Sequence, residues 1–241
     1  MPSIDLKGRT ILVTRPKPAG NVLAEIIRAA NGNALYLPLL EIVPLDFPKM
    51  ETHFDWLIFI SPQAVYHSAK YFRENLSENT KIAAIGLGTV LALESAGLHV
   101  DLYPKTDWKS EGLLALPEMK DVQGLNFALI QGEGGRPFLG EMLSKRGAIV
   151  TRLHVYRRQL PEVNVDFVQA SKIDIIVTTS NDILQNLTKL FGPTLCHVPT
   201  LVISEKMYDV AKAMGFQKIF IAKNASTDAI MVELKRIIYG K

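Results

Sequence analysis

One cysteine, Cys196, stands in 241 residues, so no intramolecular disulfide framework staples this chain. Long apolar runs are missing as well. No window approaches the roughly 18 apolar residues that a membrane-crossing helix needs, and no membrane partner is expected. The five histidines, His53, His67, His99, His154 and His197, show no metal-ligand spacing, and the neighbouring pair Cys196–His197 reads more readily as packing than as a nucleophile with its base. No G-x-x-x-x-G-K-[ST] segment occurs, which argues against phosphate-loop nucleotide chemistry. "GLGTVL" and "GEGGRP" fall short of G-x-G-x-x-G because Leu91 and Pro137 hold the sixth positions. Paired acids for general acid/base work are not evident; Glu111 and Glu133 lie in turns and read as solvated surface. These absences argue against catalysis by a strong side-chain nucleophile or a metal, and no cofactor is expected.

The residues present describe an ordinary soluble chain. Hydrophobic residues make up 48 % and charged residues 21 %, enough apolar content for real cores. The length suits one large domain or two of ordinary size. A net charge of +3 permits anionic small-molecule ligands without demanding nucleic acid. The opening "MPSIDLKGRTILVTRP" lacks the charged-then-apolar order of a secretory signal, so a cytoplasmic location is expected.

Short apolar runs alternate with amphipathic stretches. "TILV", "ALYLPLL", "WLIFI", "KIAAIG", "HVDLY", "FALIQG", "AIVTRLHVY", "DIIVTT", "TLVIS" and "KIFIA" read as strands. Helical patterns separate most of them, as in "AGNVLAEIIRAANG", where Leu23, Ile26, Ile27 and Ala30 share a face and Gly32 ends the run. Strands apolar on both faces with helices between them predict parallel sheets covered on both sides. The pattern also repeats. "DWLIFISPQAV" is answered by "DIIVTTSNDIL", and Gly97 and Gly32 are answered by Gly215 and Gly147. Four segments recur in order at roughly 115–119 residues, a period too long for a solenoid and indicative of two related domains. The proline-bearing strands at 38–48 and 154–164 read as linkers, because proline is poorly tolerated inside a central strand. The expected organisation is a discontinuous α/β domain from 1–37 and 165–241, and a second α/β domain at 49–153.

In open parallel sheets, ligands bind beyond the carboxyl ends of the strands, where helix N-termini favour anions. Nearly every such turn here carries small hydroxyls, glycine or a cation: Arg15, Ser61, Thr89, Ser110, Gly132, Arg136, Thr179, Ser180 and Ser204 among them. Taken singly, each hydroxyl reads as a helix N-cap worth about 1 kcal/mol. Taken together, two domains whose strand ends face one cleft would surround a polycarboxylate or polyphosphate with N–H groups. Tyr156, in "HVYRR" on a linker strand, reads equally as a weak general acid or as a partly buried aromatic with a satisfied hydroxyl.

"ILVTRPKPAGNVLAEIIRAANGNALYLPLLEIVPL" resembles the N-terminal signature of the uroporphyrinogen-III synthase family. "DWLIFISPQAV", "IAAIGLGTVLALESAG", "SEGLL", "GEGGRPFLGEMLSKRGAIVTRLHVYRR" and "TTSNDIL" resemble its later blocks in the same order. The resemblance implies two flavodoxin-like α/β domains with parallel sheets, joined by a two-stranded linker, with the active site in the interdomain cleft. It implies a cyclising lyase that closes hydroxymethylbilane with inversion of ring D and loss of water, without cofactor or metal. It also implies a monomer, with a transient hand-over of substrate from hydroxymethylbilane synthase. Such a reaction needs no powerful protein nucleophile, since the pyrrole nitrogen assists departure of the hydroxyl; the protein's work is positioning and electrostatics. By the same resemblance, Tyr156 donates to the departing hydroxyl and Thr89 orients substrate. Ser61, Ser110, Thr179 and Ser180 match ligand-facing turns. The sequence departs from some relatives at "ISEKM", where Ser204 and Lys206 stand in place of a Gly-Thr turn. The competing reading is a two-domain binder of a polyanionic small molecule without turnover, which the lack of an export signal weakens; nothing positive supports a purely regulatory domain pair.

Overall fold

A computed structural model of the chain describes residues 4–48, 53–169 and 171–240. The expected domain ends at residues 1, 49 and 241 lie outside them. In chain order the elements are β1 (Thr10–Val13), α1 (Ala19–Ala29), β2 (Asn33–Tyr36), β3 (Glu41–Pro44), β4 (Trp56–Phe59), α2 (Pro62–Asn75), β5 (Lys81–Ala84), α3 (Leu87–Ser95), α4 (Ser110–Ala115), β6 (Asn126–Gly132), α5 (Phe138–Lys145), β7 (Ile149–Gln159), α6 (Asp166–Gln169), β8 (Ile175–Val177), α7 (Asn181–Phe191), β9 (Thr200–Val202), α8 (Glu205–Ala213), β10 (Ile219–Ile221) and α9 (Thr227–Tyr239).

The chain divides into two compact units: Met1–Glu41 with Gln159–Lys241, and Ile42–Arg158. The first unit holds a five-stranded sheet in the order β10-β9-β8-β1-β2, parallel throughout. Its strands alternate faces with a period of two. Leu12, Ile176 and Val202 pack with the α7 residues Ile183, Leu184 and Leu187 on one side. Ile11, Val13, Ile175, Val177 and Leu201 meet Leu23 and Ile27 of α1 and Ile230 and Leu234 of α9 on the other.

The second unit holds the order β3-β7-β6-β4-β5, with β7, β6, β4 and β5 pairing parallel. Leu57, Phe59, Ala128 and Ile130 face Val65 and Phe72 of α2 and Leu93 of α3. Trp56, Ile58, Phe127 and Leu129 face Leu113 of α4 and Leu139 and Leu143 of α5. The segments 38–48 and 154–164 contribute β3 and the second half of β7, neighbours at one edge of this sheet, and the unit boundaries fall within both segments.

One expected strand is not formed. "HVDLY" makes a single bridge, Leu102 to Ala83. The Asp101 carboxylate accepts the Ile82 N–H at 2.7 Å, so a side chain takes the donor that a longer ladder would use.

Candidate active site

Each sheet contains a point where successive connections leave in opposite directions. From β1 the chain crosses through α1 to β2; from the adjacent β8 it crosses through α7 to β9. From β4 it crosses through α2 to β5; from the adjacent β6 it crosses through α5 to β7. The helices of each pair lie on opposite sheet faces, so their entry loops diverge and leave a crevice at the carboxyl ends of the strands.

In the second unit, Ser61 ends the β4 turn as the N-cap of α2, with extended angles φ −157°, ψ 160°. Its Oγ accepts the Ala64 N–H at 3.2 Å, and Pro62 pre-sets the first helical φ. The same Oγ lies 3.0 Å from Tyr156 Oη. Arg158 Nη2 donates to that phenolic oxygen at 3.3 Å, and its guanidinium carbon lies 5.5 Å from the Tyr156 ring centroid. Tyr156 is 2 % exposed, whereas Ser61 is half-buried and Arg158 exposed. The His67 ring centroid is 5.9 Å from that of Tyr156, and burial pushes the His67 imidazole below its ordinary pKa.

A β-bulge brings Tyr156 here. Gln131 pairs with His154, yet Gly132 pairs with Tyr156, so β7 carries one residue more than β6 at this point. As a result Val155 and Tyr156 both enter the core on the α2 side, where strict alternation would turn one of them away. Gly132 makes room for the ring: a Cβ at this position would overlap it and lie 2.9 Å from Tyr156 Oη.

In the first unit, Ser180 caps α7 at φ −156°, ψ 160° and accepts the Ile183 N–H at 3.2 Å. At the end of β1, Thr14 Oγ1 donates to the Val177 carbonyl at 2.6 Å, tying the β1 and β8 turns together. Three polar atoms near these strand ends are buried without a hydrogen-bond partner among the described residues: Arg15 Nη1, Tyr36 Oη and Asn181 Oδ1. Burial pushes the Arg15 guanidinium below and the Tyr36 phenol above their ordinary pKa values. Arg15 and Tyr36 are close neighbours, since a Cβ on Gly20 would meet the Arg15 carbonyl oxygen and lie 2.6 Å from Tyr36 Cε2.

The remaining predicted residues occupy varied settings. Thr89, third in α3, is 2 % exposed. Gly88 beside it lies against the α2 start, where an added Cβ would stand 3.6 Å from Pro62 Cγ. Ser204 caps α8 and accepts the Met207 N–H at 3.3 Å. Ser110 is the first residue of α4 and Thr179 is half-buried before Ser180. Arg136, a sequence candidate for a substrate carboxylate, is instead held by Glu111: Nη1 donates to Oε1 at 2.6 Å, and the guanidinium lies 4.3 Å from the Phe138 ring centroid. The Glu111 backbone N–H, then Arg136, hold that carboxyl below its ordinary pKa. Sequence reasoning missed Arg158, Tyr36 and the Glu111–Arg136 pair. Only Arg158 left a signal, standing two residues after Tyr156 on one strand.

Residues 21–231 match the family described as uroporphyrinogen-III synthase HemD. The chain is 32 % identical to uroporphyrinogen-III synthase of Escherichia coli, covering 94 % of this chain and 100 % of that one. It is likewise 32 % identical to the Salmonella typhimurium enzyme at the same coverage. Among solved structures, a mutant uroporphyrinogen III synthase from Thermus thermophilus superposes with a TM-score of 0.66 at 15 % identity, over 97 % of this chain and 100 % of that one. The Helicobacter pylori enzyme gives 0.63 at 16 % identity, over 94 % and 97 %. The chain therefore belongs to the uroporphyrinogen-III synthase family, and its fold is that of these structures.

Proposed function

We propose that the chain closes linear hydroxymethylbilane to uroporphyrinogen III, inverting the last pyrrole ring and releasing water, as a step of haem biosynthesis. Family membership over nearly the whole chain carries this reading, and the two crevices supply chemistry that suits it. Departure of the hydroxyl is assisted by the pyrrole nitrogen, whose electrons replace those leaving with the oxygen. The protein must then supply one proton to that oxygen, hold the acetate and propionate groups, and suppress closure without inversion.

The second unit offers the proton source, because Ser61, Tyr156 and Arg158 form one connected set of O–H and N–H groups. The first unit offers anchoring groups. Arg15 Nη1 is a buried cationic donor awaiting an acceptor, and Asn181 Oδ1 is a buried acceptor awaiting a donor. A pyrrole with its acid side chain carries both complements, a carboxylate and a ring N–H. Leaving such groups unpaired costs about 1–3 kcal/mol each, so a ligand that satisfies them gains in affinity. The helix starts after Ser180 and Ser204, and at Ser110, present further backbone N–H groups to carboxylates, and Thr89 stands in the first turn of α3, next to Gly88. Arg136 stays with Glu111 in this assignment.

The test is a coupled assay. Hydroxymethylbilane is generated in place, and the products are oxidised and separated by isomer. The expected product is type III. Type I alone, at the rate of the protein-free blank, overturns the reading and leaves the polyanion binder without turnover.

A further inference from the structure

We infer that Ser61 is the group that touches the departing hydroxyl, and that Tyr156 stands behind it as the proton reservoir with Arg158 fixing the direction of transfer. The inference rests on the cyclase reading above.

Burial separates the two hydroxyls. Tyr156 is 2 % exposed, enclosed by β7, α2 and the Gly132 backbone, so a ligand in the β4–β6 crevice reaches Ser61 before it reaches the phenol. Counting protons then sets the direction of each bond. A hydroxyl has one proton to give and two lone pairs. Tyr156 Oη accepts from Arg158 Nη2, which can only donate. Among the described residues, the other partner of Oη is Ser61 Oγ, at 3.0 Å. A buried phenol must place its proton on an acceptor, so Tyr156 donates to Ser61. Ser61 Oγ now accepts twice, from Tyr156 and from the Ala64 N–H. Its own proton is left to point out of the pair, toward whatever occupies the crevice. The cap bond, usually a device for helix stability, here also holds the serine oxygen in place.

The transfer balances. The C–O bond of the hydroxymethyl group breaks, and the pyrrole nitrogen supplies electrons to the methylene carbon. The Ser61 proton goes to the departing oxygen, completing water. The Tyr156 proton moves to Ser61 Oγ, leaving a phenolate beside the Arg158 guanidinium. When the attacked ring carbon later loses its proton to restore aromaticity, that proton refills the relay. Ser61 is thus catalytic, and Arg158 is a positioning residue that acts through Tyr156.

A series relay makes a sharper prediction than two independent donors. Hydroxymethylbilane turnover and isomer ratio are measured for the wild type, Ser61→Gly, Ser61→Thr, Tyr156→Phe and the Ser61→Gly/Tyr156→Phe double variant. Glycine is chosen because it keeps most of the cap geometry; circular dichroism and thermal midpoints check that each variant folds. Ser61→Gly is expected to lower kcat by about 100-fold, the scale of a lost general acid, with KM little moved. Ser61→Thr restores at least about tenfold of that loss, because its hydroxyl can serve the same purpose. The double variant turns over at the rate of Ser61→Gly alone, since links of one chain are not additive. Arg158→Gln lowers kcat in the wild-type background and has no effect in Tyr156→Phe, where no phenolic proton remains to be directed; a merely structural arginine would act in both. A folded Ser61→Gly with wild-type kcat, or a double variant whose loss is the product of the single losses, overturns the relay. A wild-type protein that yields type I product alone overturns the cyclase reading instead.

Discussion

At Ser61 the backbone lies at φ −157°, ψ 160°, and at Ser180 at φ −156°, ψ 160°. Each hydroxyl accepts the N–H three residues on at 3.2 Å. Each turn follows a buried strand that begins after an aspartate, Asp55 or Asp174, whose carboxylate accepts a backbone N–H of the neighbouring strand. The local structure is the same; the surroundings are not. A phenol backed by a guanidinium stands against Ser61, while among the described residues Ser180 keeps only its cap bond. The first unit instead has a buried guanidinium nitrogen of Arg15, in the turn after β1, and a buried amide oxygen of Asn181, next to Ser180, each without a partner among the described residues. In the proposed assignment the repeated turn serves two ends: one crevice delivers a proton, the other holds charge. The divergence traces to the strand beside each turn. β6 pairs with β7 through a bulge, whereas its counterpart β1 pairs with β2 in unbroken register.

The strongest way to break the comparison is to push Tyr156 out of its slot. Gly132→Ala places a Cβ inside the ring's space, so the phenol must leave Ser61. We expect kcat to fall by about 100-fold, as for loss of the acid itself, with a stability loss of about 1–3 kcal/mol from overpacking. Gly20→Ala is the matching insult to the first unit, crowding Tyr36 and the Arg15 carbonyl. There the expected change is mainly a higher KM. Steady-state kinetics of the two variants should therefore separate, one along kcat and one along KM. If both move the same parameter, the division of labour between the crevices is wrong.

Arg15→Gln sharpens the same point. A hydrogen bond to a charged group is worth about 1.5–3 kcal/mol, so KM for hydroxymethylbilane should rise roughly tenfold or more while kcat changes little. An unchanged KM would remove Arg15 from the carboxylate site. Arg136→Gln is a useful contrast. Its guanidinium is exposed and already paired with Glu111, so its loss should raise KM far less.

Much of this was legible in the chain itself. Short strands apolar on both faces, with helices between them, predict covered parallel sheets, and the turning of Leu12 and Val13, or of Ile58 and Phe59, into opposite cores is that pattern realised. The serine turns announce themselves because a cap is a local device: Ser61 and Ser180 need only their own next three residues. What could not be read depends on partners distant in sequence. The bulge at Gln131/Gly132 is a mismatch between two strands, visible in neither alone, and it decides which face Tyr156 takes. Arg136 looks like a free cation until Glu111, 25 residues away, is folded against it. The orphaned atoms of Arg15, Tyr36 and Asn181 are defined by what fails to reach them, and no motif records that.

Ser180→Ala tests the lesser half of the comparison. Removal of a cap side chain costs about 1 kcal/mol, readable as a lower denaturant midpoint with unchanged slope. Since the Ser180 hydroxyl has no phenol behind it, kcat should fall less than about threefold, well short of the loss at Ser61. An equal loss of kcat at both serines would mean that the cap, not the proton, is what matters at Ser61.

The smallest effect concerns the aspartates at the far ends of these strands. Burial pushes the Asp174 carboxyl up, but the Thr10 N–H and the Arg9 guanidinium at 2.9 Å outweigh it, and the folded group ends below its ordinary pKa. Protons therefore bind the unfolded chain more readily, so the ionised group stabilises the fold above the ordinary carboxylate value near 3.9. That contribution fades as pH falls through the lower folded value. In Asp174→Asn the amide oxygen can still accept the Thr10 N–H, so only the charge interaction with the half-exposed Arg9 is lost, worth about 0.2–1 kcal/mol. Urea unfolding should show the variant less stable by that amount at neutral pH. The gap should close as pH falls below about 4, because wild-type Asp174 then becomes neutral as well. A gap that stays constant into acid cannot come from the carboxylate's charge, and the strand-end ion pair would then have no part in holding β1 and β8 side by side beneath the crevice.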